Sequence, residues 1–261
     1  MDRSNIEKIA SNSEDRLLLA KLWDKINIGI RKNIPANTCF LSLREQELAQ
    51  FLFGQCDGLH VFGGYAEAER KMLIFLPDYI DEVVLTEADS PISCLRATYF
   101  EKDALTHRDF LGALIGIGIG RETIGDICVG KGSCDFLVTS EIAPYVMQNF
   151  ISAGRTKLRV EQISLDKLTV PTPEIKEIKD TLASLRLDSV LSSGFRISRS
   201  LAAEYISAGK AAVDGKPCEK ADKVISVGNT ISVRGLGKIK LSSINGKTKK
   251  DRISVIIQRY I

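Results

Sequence analysis

Apolar residues along the chain fall into stretches of distinct period. Leu18, Leu19, Leu22, Ile26 and Ile30 recur at three- and four-residue intervals over 15–30, which predicts one amphipathic helix. Pro35 interrupts. Ser42 followed three residues later by Glu45 then has the form of a capping box, predicting a helix that carries Leu48, Phe51 and Leu52 and ends near Gly54. Short apolar runs at 59–62 and 72–76, around Gly63-Gly64, read as strands. From Pro91 the order is regular: a strand over 92–100, a helix over 107–117 with Thr106 as cap, and strands over 124–129 and 134–139 joined by Gly130-Lys131-Gly132-Ser133. A helix over 143–152 closed by Gly154 and a strand over 157–164 complete it. Val170-Pro171-Thr172-Pro173 then disfavours helix and marks a linker, which continues into the charged stretch 174–180.

Beyond the linker, Leu185, Leu187, Val190 and Leu191 share one helix face, with the stop placed at Gly194. A second helix opens at Ser198, whose oxygen can accept a free backbone N–H, and stops at Gly209. Strands are expected at 210–213, 223–227, 230–233, 238–241 and 253–260, with Asp214-Gly215 as a two-residue hairpin turn. The fold class is α+β. A helical region with short strands occupies 1–90, and a βαββαβ unit of the ferredoxin-like, RNA-recognition-like type occupies 91–166. A linker spans 167–180, and a C-terminal domain of helices and strands spans 181–261.

Charge sharpens this division. Residues 181–261 hold 15 Lys and Arg against 6 Asp and Glu, a net of +9, whereas 1–180 hold 21 against 27, a net of −6. A basic end on an acidic body points to a polyanionic partner addressed by that end. No apolar run reaches the roughly 18 residues of a membrane span, and no signal-peptide pattern opens the chain, so a cytoplasmic protein is expected. Cys39, Cys56, Cys94, Cys128, Cys134 and Cys218 stand singly, and only His60 and His107 accompany them, so neither disulfides nor a metal is expected.

Three motifs imitate catalytic loops and fail. Gly125 and Gly130-Lys131 have phosphate-loop spacing, but Gly132 replaces the Ser/Thr and the motif lies on a strand–turn–strand. Gly116, Gly118 and Gly120 follow a helix where a dinucleotide loop must precede one, and Arg121 breaks the pattern. His107-Arg108-Asp109 lacks the downstream Asn of a kinase loop, having Leu114 instead. His60, in an apolar strand, reads as core. Neither a catalytic residue nor a cofactor is assigned, and the chain reads as a binding protein.

The candidate site is the basic helix pair. Arg186, Arg196 and Arg199 are placed near helix starts, where free N–H groups also favour phosphate, with Ser198 and Ser200 beside them and Lys210 and Lys216 flanking the hairpin. In a competing reading Arg186 pairs with a carboxylate such as Asp188 or Glu204. Arg234-Gly235-Leu236-Gly237-Lys238-Ile239-Lys240 adds a second basic element in which glycines permit close backbone approach, so Arg234, Lys238 and Lys240 join the candidate RNA-binding set. Lys247, Lys249, Lys250 and Arg252 form a diffuse positive background.

The helix pair resembles the S4-type RNA-binding domain through RLD at 186–188, GF at 194–195, SRS at 198–200, AG at 208–209 and VDGK at 213–216. Over nearly the full length, HRDFLGALIGIGIGRETIGDI at 107–127, the VPTP linker and TLASLRLDSVLSSGF resemble the YlmH family. The most specific middle-domain features are Arg108-Asp109, Leu111-Gly112, Gly118, Arg121-Glu122 and Ile124-Gly125-Asp126. That resemblance implies work on the ribosome: binding the large subunit with its stalled peptidyl-tRNA in ribosome-associated quality control of stalled nascent chains. Joined to the missing catalytic motifs and membrane spans, the expectation is a monomeric, non-enzymatic factor that binds ribosomal RNA and tRNA and no membrane. The family is also linked by name to cell division, and one branch to photosystem II. Its usual Arg-Gly-x-Gly-Arg-Phe stands here as RGLGKI, where Lys238 loses the bidentate fork and Ile239 an aromatic that could stack on a base. The middle sheet lacks the stacking aromatics of RNA-recognition modules, leaving RNA contact through Arg121, Arg155 and Arg159 or a protein-docking role. An RNA-modifying enzyme with an appended S4 domain, such as a pseudouridine synthase or methyltransferase, is the alternative. An adaptor whose acidic body binds a protein is a third reading.

Overall fold

Polar caps and glycines set the element ends in a computed structural model that describes residues 3–54, 56–87, 89–172, 175–248 and 251–260. Two compact units result, Met1–Pro171 and Thr172–Ile261. Pro173 and Glu174 of the expected linker, and Lys249 and Lys250 of the diffuse basic patch, lie outside the described residues.

The first unit opens with α1 (Ile6–Ile9) and α2 (Ser13–Lys32), the latter capped by Asn12, whose side chain accepts from Asp15 N. After β1 (Ala36–Asn37), the Ser42/Glu45 capping box starts α3 (Leu43–Phe53) as its spacing predicts. Leu52 is buried there, but Phe51 is 73% exposed. The strands β2 (Leu59–Phe62) and β3 (Met72–Phe75) join β1 in an antiparallel sheet of order β1-β3-β2. His60 on β2 is half-buried rather than core, with Nδ1 3.4 Å from Glu82 Oε1.

The middle elements follow as β4 (Ile92–Thr98), α4 (His107–Gly116), β5 (Ile124–Val129), β6 (Ser133–Thr139) and α5 (Ala143–Asn149). A small hairpin, β7 (Ser152–Ala153) and β8 (Thr156–Lys157), leads into β9 (Arg159–Ile163). The helix expected to reach 152 therefore ends earlier, and Gly154 turns the hairpin instead at φ 58°. Sheet order β5-β6-β4-β9, antiparallel throughout, is the ferredoxin-like arrangement. Period-two alternation sends Leu95, Ala97, Phe136 and Val138 to one face, where Phe110, Leu114, Val146 and Phe150 cover them.

The opposite face is covered as well. Ile92, Cys94 and Leu137 pack against Phe40, Met72, Ile74 and Leu76, so one core runs across the division expected near Ser90. Gly125 permits this approach, since an added Cβ would lie 2.7 Å from Phe40 Cε1. On the same face Arg96 makes two 2.6 Å bonds to Asp135, which is 2% exposed and also accepts from Thr169 N.

The second unit contains β10 (Ile175–Leu182), α6 (Leu187–Phe195), α7 (Arg199–Ser207), β11 (Ala211–Val213), β12 (Lys216–Pro217), β13 (Thr230–Val233), β14 (Gly237–Lys247) and β15 (Ile253–Tyr260). They build a six-stranded antiparallel sheet of order β10-β15-β14-β13-β11-β12. Residues 175–180, read as linker, are thus in a strand paired along β15, because Ile178 and Leu182 alternate into the core. The strand expected over 223–227 is absent: Val224 only bridges Arg186, and Val224 and Val227 are exposed. Asp214 and Gly215, at φ 49° and 78°, turn the β11–β12 hairpin as expected.

Candidate nucleic-acid interface

One face of the six-stranded sheet is closed by α6 and α7. Leu187, Val190, Leu191, Ala202 and Ile206 pack on Val213, Ile231, Ile239, Leu241, Val255 and Ile257. Gly194 is not the stop expected of it but an interior helix residue. A Cβ there would stand 2.5 Å from Ile239 Cδ1, so glycine lets α6 lie close on the sheet. The helix stops two residues later at Arg196, whose left-handed φ of 56° costs about 1–2 kcal/mol in a non-glycine residue. Arg196 therefore caps the end of α6 and not a helix start. Its side chain is exposed at the corner that leads to α7.

Arg186 and Arg199 do sit at helix starts, as the N-cap of α6 and the first residue of α7. Asp188 joins them. Its Oδ2 accepts from Arg199 at 2.6 Å and its Oδ1 from Arg186 Nε at 3.4 Å, while Ser189 Oγ lies 3.4 Å away. Burial alone would raise the Asp188 carboxyl, but the Arg199 bond, both guanidinium charges and the Ser189 N–H hold it below its ordinary value. An ionised, buried carboxylate thus fixes two guanidinium groups that remain roughly half exposed, with donors left for an anion. The pairing of Arg186 with Asp188, one of the two readings weighed from sequence, is present. That of Arg199 spans eleven positions and carries no periodic signal. Ser198 accepts from Leu201 N at 3.1 Å and its Oγ lies 2.9 Å from that of Ser200, so these serines order the first turn of α7.

Lys210, Arg234, Lys238 and Lys240 belong to a different face, while Lys216 pairs across the β11–β12 hairpin with the inward-facing Val213. Lys210, Arg234 and Lys238 line an open groove of about 470 Å³ with Ala212, Pro217 and Ser232 on the side of the sheet away from the helices. Lys240 lies two residues along β14 from Lys238, opposite Thr230. Lys210 stands over the Tyr205 ring at 5.2 Å and Lys238 over the Tyr260 ring at 5.5 Å. These aromatic supports were not identified from sequence. Gly235 and Gly237, at φ 93° and 105°, turn the β13–β14 connection that carries Arg234. Lys216 is exposed on β12. Ile239 points the other way: it is fully buried against α6, so position 239 serves packing and not base stacking.

In the first unit the motif residues 121–126 do structural work. Asp126 accepts from Tyr65 Oη at 2.8 Å, Glu69 N at 2.7 Å and Arg70 N at 3.0 Å. Arg70 binds the carbonyls of Ile124, Phe40 and Arg121, and Arg121 those of Ile124 and Gly125. Burial followed by the neighbouring Arg70 charge lowers the Arg121 pKa, and its guanidinium is spent on backbone carbonyls.

A helix pair with pinned, half-exposed arginines on a basic sheet, in a chain that also carries a ferredoxin-like unit, defines an RNA-binding protein of the S4 class. Residues 86–167 match the family model described as "Putative RNA-binding domain in YlmH", and 185–231 match that of the S4 domain. "Ribosome-associated protein quality control protein P2" of Bacillus subtilis (strain 168) is 36% identical over 224 residues, spanning 85% of this chain and 86% of that protein. The solved "Cell division protein ylmH from Streptococcus pneumoniae" is 25% identical with a TM-score of 0.48, covering 61% of this chain and 98% of that one. The chain belongs to the YlmH family of S4-domain RNA-binding proteins.

Proposed function

We propose that this protein is a non-enzymatic, cytoplasmic and monomeric factor that docks through Thr172–Ile261 on ribosomal RNA and tRNA of the large ribosomal subunit. Its role there is to assist quality control of stalled nascent chains. The observation that carries the reading is Asp188 holding Arg186 and Arg199 as one oriented, half-exposed pair. Fixed guanidinium forks meet phosphate oxygens with little further ordering cost. Arg196, Ser198 and Ser200 extend that edge, while Lys210, Lys216, Arg234, Lys238 and Lys240 supply further cations from the sheet. The 36% identity to a protein named for ribosome-associated quality control supports the setting.

Cosedimentation with large ribosomal subunits tests it. Arg186→Gln/Arg199→Gln should reduce bound protein at least tenfold at 100 mM salt, with the log–log salt slope falling by roughly 1.4 if each arginine meets one phosphate of a single strand. Glutamine is preferred to glutamate at 199, because a second carboxylate beside Asp188 would disturb the helix corner. Unchanged cosedimentation would remove the docking surface from the proposal. Modified nucleotides appearing on ribosomal RNA incubated with the protein and a methyl donor would show an enzyme instead.

A further inference from the structure

The middle sheet cannot use its face for RNA, because Phe40, Met72 and Ile74 cover it. One end of that sheet has the opposite character. Register puts Thr98 at the end of β4 opposite both Ser133 of β6 and Arg159 of β9. The β5–β6 turn closes on the same end: Tyr99 N donates to the Gly132 carbonyl at 3.0 Å and Tyr99 Oη to that of Gly130 at 2.9 Å. The β7–β8 hairpin enters it through Lys157-Leu158-Arg159, with Leu158 N bonded to the Ile151 carbonyl.

This end gathers Lys102, Lys131, Arg155, Lys157 and Arg159, all exposed, against Glu101 and Asp103. Among the described residues Lys131, Arg155, Lys157 and Arg159 form no ion pair. Phe100, next to the Tyr99 that closes this end, is 75% exposed, with Lys102 Nζ 5.6 Å from its ring centroid. Ile151 beside the hairpin is 66% exposed. An exposed aromatic at a sheet end rich in unpaired cations, on a unit that is otherwise acidic, is a combination suited to single-stranded nucleic acid: the ring stacks a base while the cations track the backbone.

We propose that this end of the middle sheet is a second RNA contact, for an unpaired strand. Phe100 stacks one base, and Lys131, Arg155, Lys157 and Arg159 meet the flanking phosphates. The inference rests on the RNA-binding reading of the chain but not on the helix-pair surface.

The test uses the full chain carrying Arg186→Gln/Arg199→Gln, so that the other contact is weakened, and a fluorescein-labelled 12-nucleotide oligouridine read by anisotropy. Adding Arg155→Glu/Lys157→Glu/Arg159→Glu should weaken binding at least tenfold and lower the salt slope by about 2, for three phosphates of a single strand. Adding Phe100→Ala alone should weaken it roughly tenfold with the slope unchanged, and Phe100→Trp should restore it. Circular dichroism checks that these surface changes leave the fold intact. Oligouridine that does not bind, or binds equally to the triple variant, overturns the second contact. So does a triple variant that loses ribosome cosedimentation but keeps its oligouridine affinity, which would mark a protein contact. Failure of the helix-pair reading shows separately, as cosedimentation indifferent to Arg186→Gln/Arg199→Gln.

Discussion

Gly194→Ala probes how closely α6 must sit on its sheet. The added methyl would lie 2.5 Å from Ile239 Cδ1, 3.3 Å from Ile239 Cγ2 and 3.2 Å from Ile257 Cγ2. Carbon pairs prefer about 3.5–4.0 Å. Neither partner can swing away, because Ile239 and Ile257 are both fully buried. Overpacking of this kind costs about 1–3 kcal/mol, offset by about 1 kcal/mol from replacing glycine inside a helix. A net loss of about 1 kcal/mol is expected. Ile239→Val alone should cost about 0.5–1.5 kcal/mol, but it removes the atom at 2.5 Å. The double variant should therefore be no less stable than Ile239→Val, a coupling of about 1 kcal/mol instead of additivity. Thermal melts followed by far-ultraviolet circular dichroism would read this as several degrees, at about 4–8 °C per kcal/mol for a unit of this size. Trp23, the one tryptophan of the chain, belongs to Met1–Pro171, so its fluorescence melt is the internal control. Additive losses, or a Gly194→Ala protein as stable as the parent, would refute the close-approach account of this glycine.

Asp188→Asn should cost about 1–2 kcal/mol at pH 7, toward the low end for a charge-assisted bond because Arg199 is half exposed. Since the native carboxyl is held below its unfolded value of about 3.9, that contribution is complete above the unfolded pKa and lost as pH falls through the native one. Urea titrations of the two proteins should diverge at neutral pH and converge in acid, and an undiminished gap in strong acid would contradict the ion-pair account. Among the thiols, burial pushes Cys94 up to about 12 and Cys128 up to about 11, and raises Cys134 as well. Burial raises Cys39 and Cys56 too, but both stay partly open to solvent, so at pH 8 a thiol reagent should label these two in the native protein and the four buried thiols only after denaturation, as peptide mass mapping would show. Equal native labelling of Cys94 and Cys56 would count against it.

Local signals accounted for much of the fold. The Ser42/Glu45 box, the Ser198 cap, the Asp214-Gly215 turn and the alternation in β4 to β6 each act over a few residues, and each lies where the spacing predicts. Basic composition likewise marked 181–261 as the part expected to meet a polyanion. Contacts between distant segments were another matter. Gly194 reads as a helix stop until Ile239, 45 positions away, is seen beneath it; Ile239 reads as a lost stacking contact until its strand is seen to turn it inward. Residues 175–180 read as linker because Lys176, Glu177, Lys179 and Asp180 are charged and only Ile178 is buried, and because the strand's pairing partner is 75 or more positions off. Asp188 gathers two arginines that sequence could only place near helix starts, and the sheet sorts Lys210, Arg234, Lys238 and Lys240 onto its far side. The sequence by itself determined the elements, their order and the sign of the charge, because these depend on neighbours along the chain. Which cations share a surface, and which sheet face remains uncovered, was decided only by the tertiary structure, because packing couples residues that the chain keeps far apart.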